Sequence, residues 1–97
     1  MAVIETMTFR LATATDETAF LAADSRLQTE FAYHQPGLVR RTTARGDGGD
    51  WIVIDIWASD ADADACAQRW DGDPTAAAFM ALIDRASVRT ARYTPLD

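Results

Sequence analysis

The side chains best suited to chemistry in this 97-residue chain are its one histidine, a carboxylate set among apolar residues, and its tryptophans. Imidazole is the side chain most often used as a general acid or base, and His34 is the only one in the chain. It is spaced to continue an apolar stripe of Phe20, Leu27 and Phe31, which predicts a place near the mouth of a pocket between helix and sheet. The plainer alternative is a histidine at a helix end, hydrogen-bonded to backbone or water. Asp55 interrupts the apolar run Trp51 to Trp57. A carboxylate there must be paired or it costs several kcal/mol, and a group so placed is a candidate for acid–base work. A structural ion pair with Arg41, Arg89 or Arg92, within the chain or across a dimer, is the more common cause of the same pattern. Trp57 and Trp70, with Phe31 and Phe79, are the expected walls of an aromatic pocket, although tryptophans in strands and helices more often serve as core.

Other chemistries fail on spacing. Asp60-Ala61-Asp62-Ala63-Asp64 resembles the start of a calcium loop, but Ala65 stands where glycine is needed and Asp71 where the closing Glu belongs. A helix start with a solvated acidic face explains it better. Cys66 has no Cys or His partners at zinc spacing and only Ala and acidic residues nearby. No phosphate loop, dinucleotide fingerprint or nucleophile elbow is present. No metal and no cofactor is expected.

The elements that must position these groups follow from periodicity. Val3 to Leu11 alternate, with Met7, Phe9 and Leu11 on one side, and read as a half-buried strand. Thr15 is the expected cap of a first helix carrying Phe20, Ala23, Leu27 and Phe31, and Pro36-Gly37 ends the region. Leu38 to Ala44 form a second strand, with Arg40 and Arg41 on opposite faces. Glycines in Gly46-Asp47-Gly48-Gly49 allow a hairpin loop. Trp51 to Trp57 give the strongest strand signal: Ile52, Ile54 and Ile56 on one face, Trp51, Val53, Asp55 and Trp57 on the other. Ser59 caps a second helix that runs to about Trp70. Asp73-Pro74 restarts a helix, with Phe79, Leu82 and Ile83 as its stripe and Arg85 near its end. Val88 to Tyr93 make a short last strand.

This order is β-α-β-β-α-β, a ferredoxin-like α+β domain over residues 1–97: a four-stranded antiparallel sheet with helices on one face. The third strand is apolar on both faces, so the face without helices is expected to meet a second copy of the chain. The composition, 48% hydrophobic and 25% charged, is that of a folded protein, and the net charge of -6 argues against nucleic acid and anionic membrane surfaces as partners. A single cysteine, with no basic, apolar leader at Met1 to Glu5, suggests a reducing, cytoplasmic setting.

Two stretches resemble a known family. Phe31…Gln35-Pro36-Gly37-Leu38 and Ile54-Asp55-Ile56-Trp57-Ala58-Ser59-Asp60 look like the "PGF" turn and "W-x-S" strand-to-helix junction of antibiotic biosynthesis monooxygenase (ABM)-like proteins, a branch of the dimeric α+β barrel superfamily. The resemblance covers almost the whole chain. It implies a homodimer through sheet faces and a ligand pocket between helices and sheet. It also implies chemistry of the cofactor-independent monooxygenase type on an aromatic or polyketide-like small molecule. The alternative is a non-catalytic, small-molecule-binding or stress-associated module. Haem-degrading relatives use an Asn on the first strand, a Trp on the second helix and a His ligand beyond it. Trp70 fits the Trp position, but Met80 falls near the His position and the chain contains no Asn.

Overall fold

A computed structural model describes all 97 residues. The strands are β1 (Val3–Leu11), β2 (Leu38–Arg45), β3 (Asp50–Trp57) and β4 (Ile83–Tyr93); the helices are α1 (Glu17–Glu30), α2 (Asp60–Trp70) and α3 (Pro74–Met80). The sheet is antiparallel throughout, in the order β2-β3-β1-β4, the ferredoxin-like arrangement expected. No helix is long and apolar enough to cross a membrane.

Local chemistry sets the helix boundaries. Ser59 accepts from the Asp62 amide at 3.1 Å and Asp73 from the Ala76 amide at 2.8 Å, with Pro74 in the first turn. At α1 the cap is Asp16, not Thr15: Asp16 accepts from the Thr18 amide, while the Thr15 hydroxyl turns to the Leu82 carbonyl. The Pro36-Gly37 turn needs glycine. Gly37 has φ +84°, and a Cβ there would stand 2.2 Å from Asp62 Oδ2. The Gly37 carbonyl accepts from the Ala58 amide at 2.7 Å, which ties the start of β2 to the start of α2.

The C-terminal elements differ from the sequence expectation. The helix stops at Met80, and Ile83 already pairs with Leu11, so Leu82, Ile83 and Arg85 belong to no helical stripe. The Leu82 carbonyl accepts from the Ala12 amide at 2.9 Å, which draws the chain into the sheet one turn early. β4 is consequently eleven residues long rather than a short strand.

Alternation on β1 and β3 divides the sheet as predicted. Phe9, Trp51 and Val53 pack with Phe20, Leu27, Phe31, Ala76, Phe79 and Ile83 into one core. Phe20 lies at its centre, its ring centroid 4.9 Å from Trp51 and 5.4 Å from Phe79. A smaller cluster of Val3, Trp57 and Ala63 forms at the other end of the same strands. Between the two clusters the face is not apolar.

Candidate functional site

The gap between the clusters is occupied by charge. Register places Arg41 of β2 opposite Asp55 of β3, Asp55 opposite Glu5 of β1, and Glu5 opposite Arg92 of β4. These four residues cross the helix-facing side of the sheet in one row. Above the row lies α2, whose sheet-facing stripe is Ala63, Cys66, Ala67 and Trp70, at helical spacing. Three of those side chains are small. They leave a cavity of about 310 Å³, with Arg41, Asp55 and Glu5 of the row along its floor and Met7, Val53, Trp57, Trp70 and Phe79 in its apolar walls. That volume is at the small end of ligand pockets, roughly 300–1,000 Å³.

Asp55 is only 21% exposed, and its Oδ1 has no hydrogen-bond partner. The nearest cation, Arg41 Nε, is 3.9 Å away. Burial pushes the Asp55 carboxyl up to about 6, against the pull of Arg41 and with the help of the Glu5 and Asp24 charges. The expected ion pair with Arg41 is thus present but loose, and neither Arg89 nor Arg92 reaches Asp55. Arg41 is committed elsewhere. It is 4% exposed and donates to Asp24 at 2.8 Å, to Gln28 at 3.1 Å and to Thr43 at 3.3 Å, with its guanidinium 5.9 Å from the centre of the Phe79 ring. Arg92 holds Glu5 at 3.0 Å and reaches over to α2, to Asp64 at 2.8 Å and Asp60 at 3.2 Å.

Two residues along the same face of β3, the Trp57 indole Nε1 is also buried without a partner. An unmet indole donor and an unmet carboxylate oxygen therefore belong to two residues that line one cavity. Few buried polar groups in folded proteins go unpaired, so two in one place call for an explanation. Cys66 lines the same space, and burial, followed by the charges of Asp55 and Glu5, pushes its thiol up to about 11. It is a poor nucleophile there.

The structure brings together Asp55, Trp57, Trp70 and Phe79. It does not bring His34 to them. The α1 helix ends at Glu30 and the chain tightens into a 3-10 turn at Ala32–His34, which swings His34 off the Phe20–Leu27–Phe31 stripe and leaves it exposed outside the cavity. Phe31 lies one layer back, buried in the main core with its ring centroid 5.9 Å from Trp70, so it buttresses the wall rather than forming it. Sequence reading missed Glu5 as the cross-strand neighbour of Asp55 and as the residue that Arg92 holds, and did not foresee how deeply Arg41 is buried. The one available signal was charge at the cross-strand position, which depends on register. A second, more open hollow of about 420 Å³ lies at the hairpin end around Arg10, Asp50 and Ser87. Its polar groups are already paired: Arg10 meets Asp50 at 2.7 Å and the Gly48 carbonyl at 2.7 Å.

No protein-family model matches the chain, and no curated protein is similar to it in sequence. Solved structures do match. The chain is similar to SnoaB, a cofactor-independent oxygenase from Streptomyces nogalater, with a TM-score of 0.79 and 22% identity over 99% of this chain and 94% of that one. It is similar to Rv0793 from Mycobacterium tuberculosis, with a TM-score of 0.72 and 19% identity over 100% and 97% of the two chains. A candidate antibiotic biosynthesis monooxygenase from Caulobacter crescentus gives a TM-score of 0.78 at 14% identity, over 99% and 91%. The chain has the ABM-like fold.

Proposed function

We propose that the chain binds an uncharged, fused-ring phenol or enolisable aromatic in the cavity under α2, that Asp55 removes a proton from it, and that the anion then reacts with O2 without a cofactor. The observation that carries this reading is the pair of unmet atoms, Asp55 Oδ1 and Trp57 Nε1, on two residues that line one cavity. A ligand offering an acidic hydrogen to Asp55 and an oxygen to Trp57 satisfies both. As the proton leaves, charge grows on the ligand oxygen, where the indole N–H stabilises it. A carboxyl near 6 is a useful base close to neutral pH. Trp70 and Phe79 supply the flat walls. The fold shared with a cofactor-independent oxygenase supports the same class of chemistry.

For an anthrone the balance is simple. Asp55 takes one methylene proton, and the resulting enolate passes electrons to O2. The methylene then loses its second hydrogen, one oxygen atom becomes the quinone carbonyl and the other leaves as water. His34, exposed outside the cavity, has no part in this scheme. The test is oxygen uptake with 1,8-dihydroxyanthrone near neutral pH. The protein should speed uptake above the spontaneous rate, and Asp55→Asn should abolish the gain while the compound still quenches tryptophan fluorescence. Uptake by Asp55→Asn equal to that of the wild type defeats the proposal. Binding with no uptake by either protein leaves a binding module instead.

A homodimer through the outer sheet face belongs to the same proposal. Ile4, Ile52, Ile54 and Ile56 line that face, with Tyr93 56% exposed beside Ile4, and Val39 is 63% exposed at the β2 bulge. Sedimentation equilibrium should show a dimer that Ile54→Lys converts to monomer. A concentration-independent monomer in the wild type rules it out.

A further inference from the structure

The order of charge along the row is unusual. Arg41, Asp55, Glu5 and Arg92 run plus, minus, minus, plus across β2, β3, β1 and β4. Side chains directly opposite in antiparallel strands have Cβ atoms only about 4.5–5.5 Å apart, and like charges there repel. A row built for stability would alternate in sign. This one places its two carboxylates side by side on the central strands and its cations at the edges.

The two carboxylates are not equally held. Glu5 is fixed by Arg92 Nε at 3.0 Å, whereas Asp55 Oδ1 has Arg41 Nε only at 3.9 Å and no hydrogen bond. Arg41 spends its stronger contacts on Asp24, Gln28 and Thr43. The groups around Asp55 can be named element by element. β1 presents Glu5, β2 Arg41, α1 Asp24 and α2 Cys66; α3 presents only the Phe79 ring; β4 adds Arg92 behind Glu5, paired also with Asp60 and Asp64. Of these, Glu5 is the one carboxylate in direct cross-strand register with Asp55 that also lines the cavity.

We propose that Glu5 is a positioning residue for Asp55: clamped by Arg92 and opposite Asp55 across the β1–β3 pair, it keeps that carboxyl from ionising too readily, and Arg92 limits the effect. The inference rests on Asp55 as the proton acceptor for its meaning in function. It explains why a carboxylate stands where an apolar residue would pack, and why the cation that neutralises it sits on its far side. The Glu5 contribution raises the Asp55 carboxyl, after burial and against Arg41, as this arrangement requires.

The two partners make opposite predictions, which a merely structural pair would not. The experiment is a carbon-13 carboxyl NMR titration of the ligand-free protein, with Asp55 assigned by its absence in Asp55→Asn. Removing the Glu5 charge with Glu5→Gln should move the Asp55 midpoint down by roughly half a pH unit to one unit, a three- to tenfold loss of proton affinity. Arg92→Gln, which frees the Glu5 charge from its cation, should move it up. If Arg92→Gln does not fold, the double variant Glu5→Gln/Arg92→Gln replaces it. Its midpoint should stay below the wild-type value, because Glu5 is the nearer charge. An unchanged or raised midpoint in Glu5→Gln overturns the inference, as does movement of both single variants in one direction. Because no ligand is present, these outcomes are independent of whether 1,8-dihydroxyanthrone is a substrate.

Discussion

Replacing Asp55 with Asn should make the fold more stable at neutral pH and leave it unchanged in acid. In the folded chain the carboxyl is held at about 6, against an ordinary value of 3.8. The native state therefore binds the proton more tightly than the unfolded state does. Above pH 6 the folded chain carries a buried charge that the unfolded chain carries in water. The difference of about two pH units corresponds to about 3 kcal/mol of destabilisation, at 1.36 kcal/mol per unit. The sign is the reverse of the usual salt-bridged Asp. Stability rises as pH falls through 6, gains about half of the total near pH 5, and levels off below 3.8, where both states are protonated. Asn resembles the protonated carboxyl in shape and charge. Urea unfolding of both proteins, followed by tryptophan fluorescence between pH 4 and 8, gives the difference directly. It should shrink to about half a kcal/mol at pH 4 and reach about 2–3 kcal/mol in favour of Asp55→Asn at pH 7.5. A difference that stays flat across the range refutes the reasoning, because it would mean that Asp55 ionises as readily in the fold as outside it.

Trp57→Phe removes an unpaired donor while keeping a ring in the smaller core. An unmet buried donor costs about 1–3 kcal/mol, so thermal unfolding should show no loss and up to a modest gain, while the affinity for 1,8-dihydroxyanthrone falls about tenfold. A large loss of stability would show that the indole N–H is already satisfied. Arg41→Gln does the opposite. It leaves Asp24 buried beside Gln28 and Thr43 without its cation, at a cost of about 3–5 kcal/mol in chemical unfolding, and a loss below 1 kcal/mol would count against the pair. Cys66, pushed up to about 11 from 9.0, carries about a hundredfold less thiolate near pH 8 than an ordinary cysteine. A disulfide reagent should therefore label it far more slowly in the native chain than in urea, and equal rates would show that the thiol is free in solvent.

What could be read from the sequence divides along physical lines. The β3 alternation separates Trp51, Val53, Asp55 and Trp57 from the isoleucines because side-chain direction in a strand is strictly periodic, and the structure keeps that division. Asp55 stood out for the same reason. Arg41 was foreseen beside it, but Glu5 was not, since Glu5 meets Asp55 only through a β1–β3 register that joins positions fifty residues apart. The α2 stripe was hidden by its composition. Ala63 and Ala67 are weakly hydrophobic and interleave with aspartates, so the helix reads as polar although Ala63 is fully buried. His34 was misplaced by carrying an α-helical period through the end of α1, where the chain becomes 3-10 and each residue turns further. Ile83 illustrates the ambiguity of short apolar runs: beside Leu82 it suits a helix or a strand, and pairing with Leu11 decides for the strand.

The cavity is better explained as retained than as accidental. Its floor and its roof each depart from close packing, and they do so at the same place. Apolar residues at Glu5 and Asp55 would join the two clusters into one continuous core along β1 and β3, and burying such a row in place of charges is often neutral or stabilising. Larger side chains at Ala63 and Ala67 would close the space that α2 leaves above them, and proteins usually fill such gaps. Either change alone would relieve the strain on Asp55 by excluding its charge or by giving it a neighbour. Neither is present, although the rest of the helix-facing surface packs aromatic rings at centroid distances of 4.9–6.2 Å. The hairpin hollow around Arg10 shows the contrast: it is larger and more open, but its ion pair and carbonyl contact satisfy one another and ask nothing of a ligand. Under α2 the indole of Trp57 and the carboxyl of Asp55 remain unmet within the chain, and an oxygen-bearing aromatic is the kind of molecule that meets both.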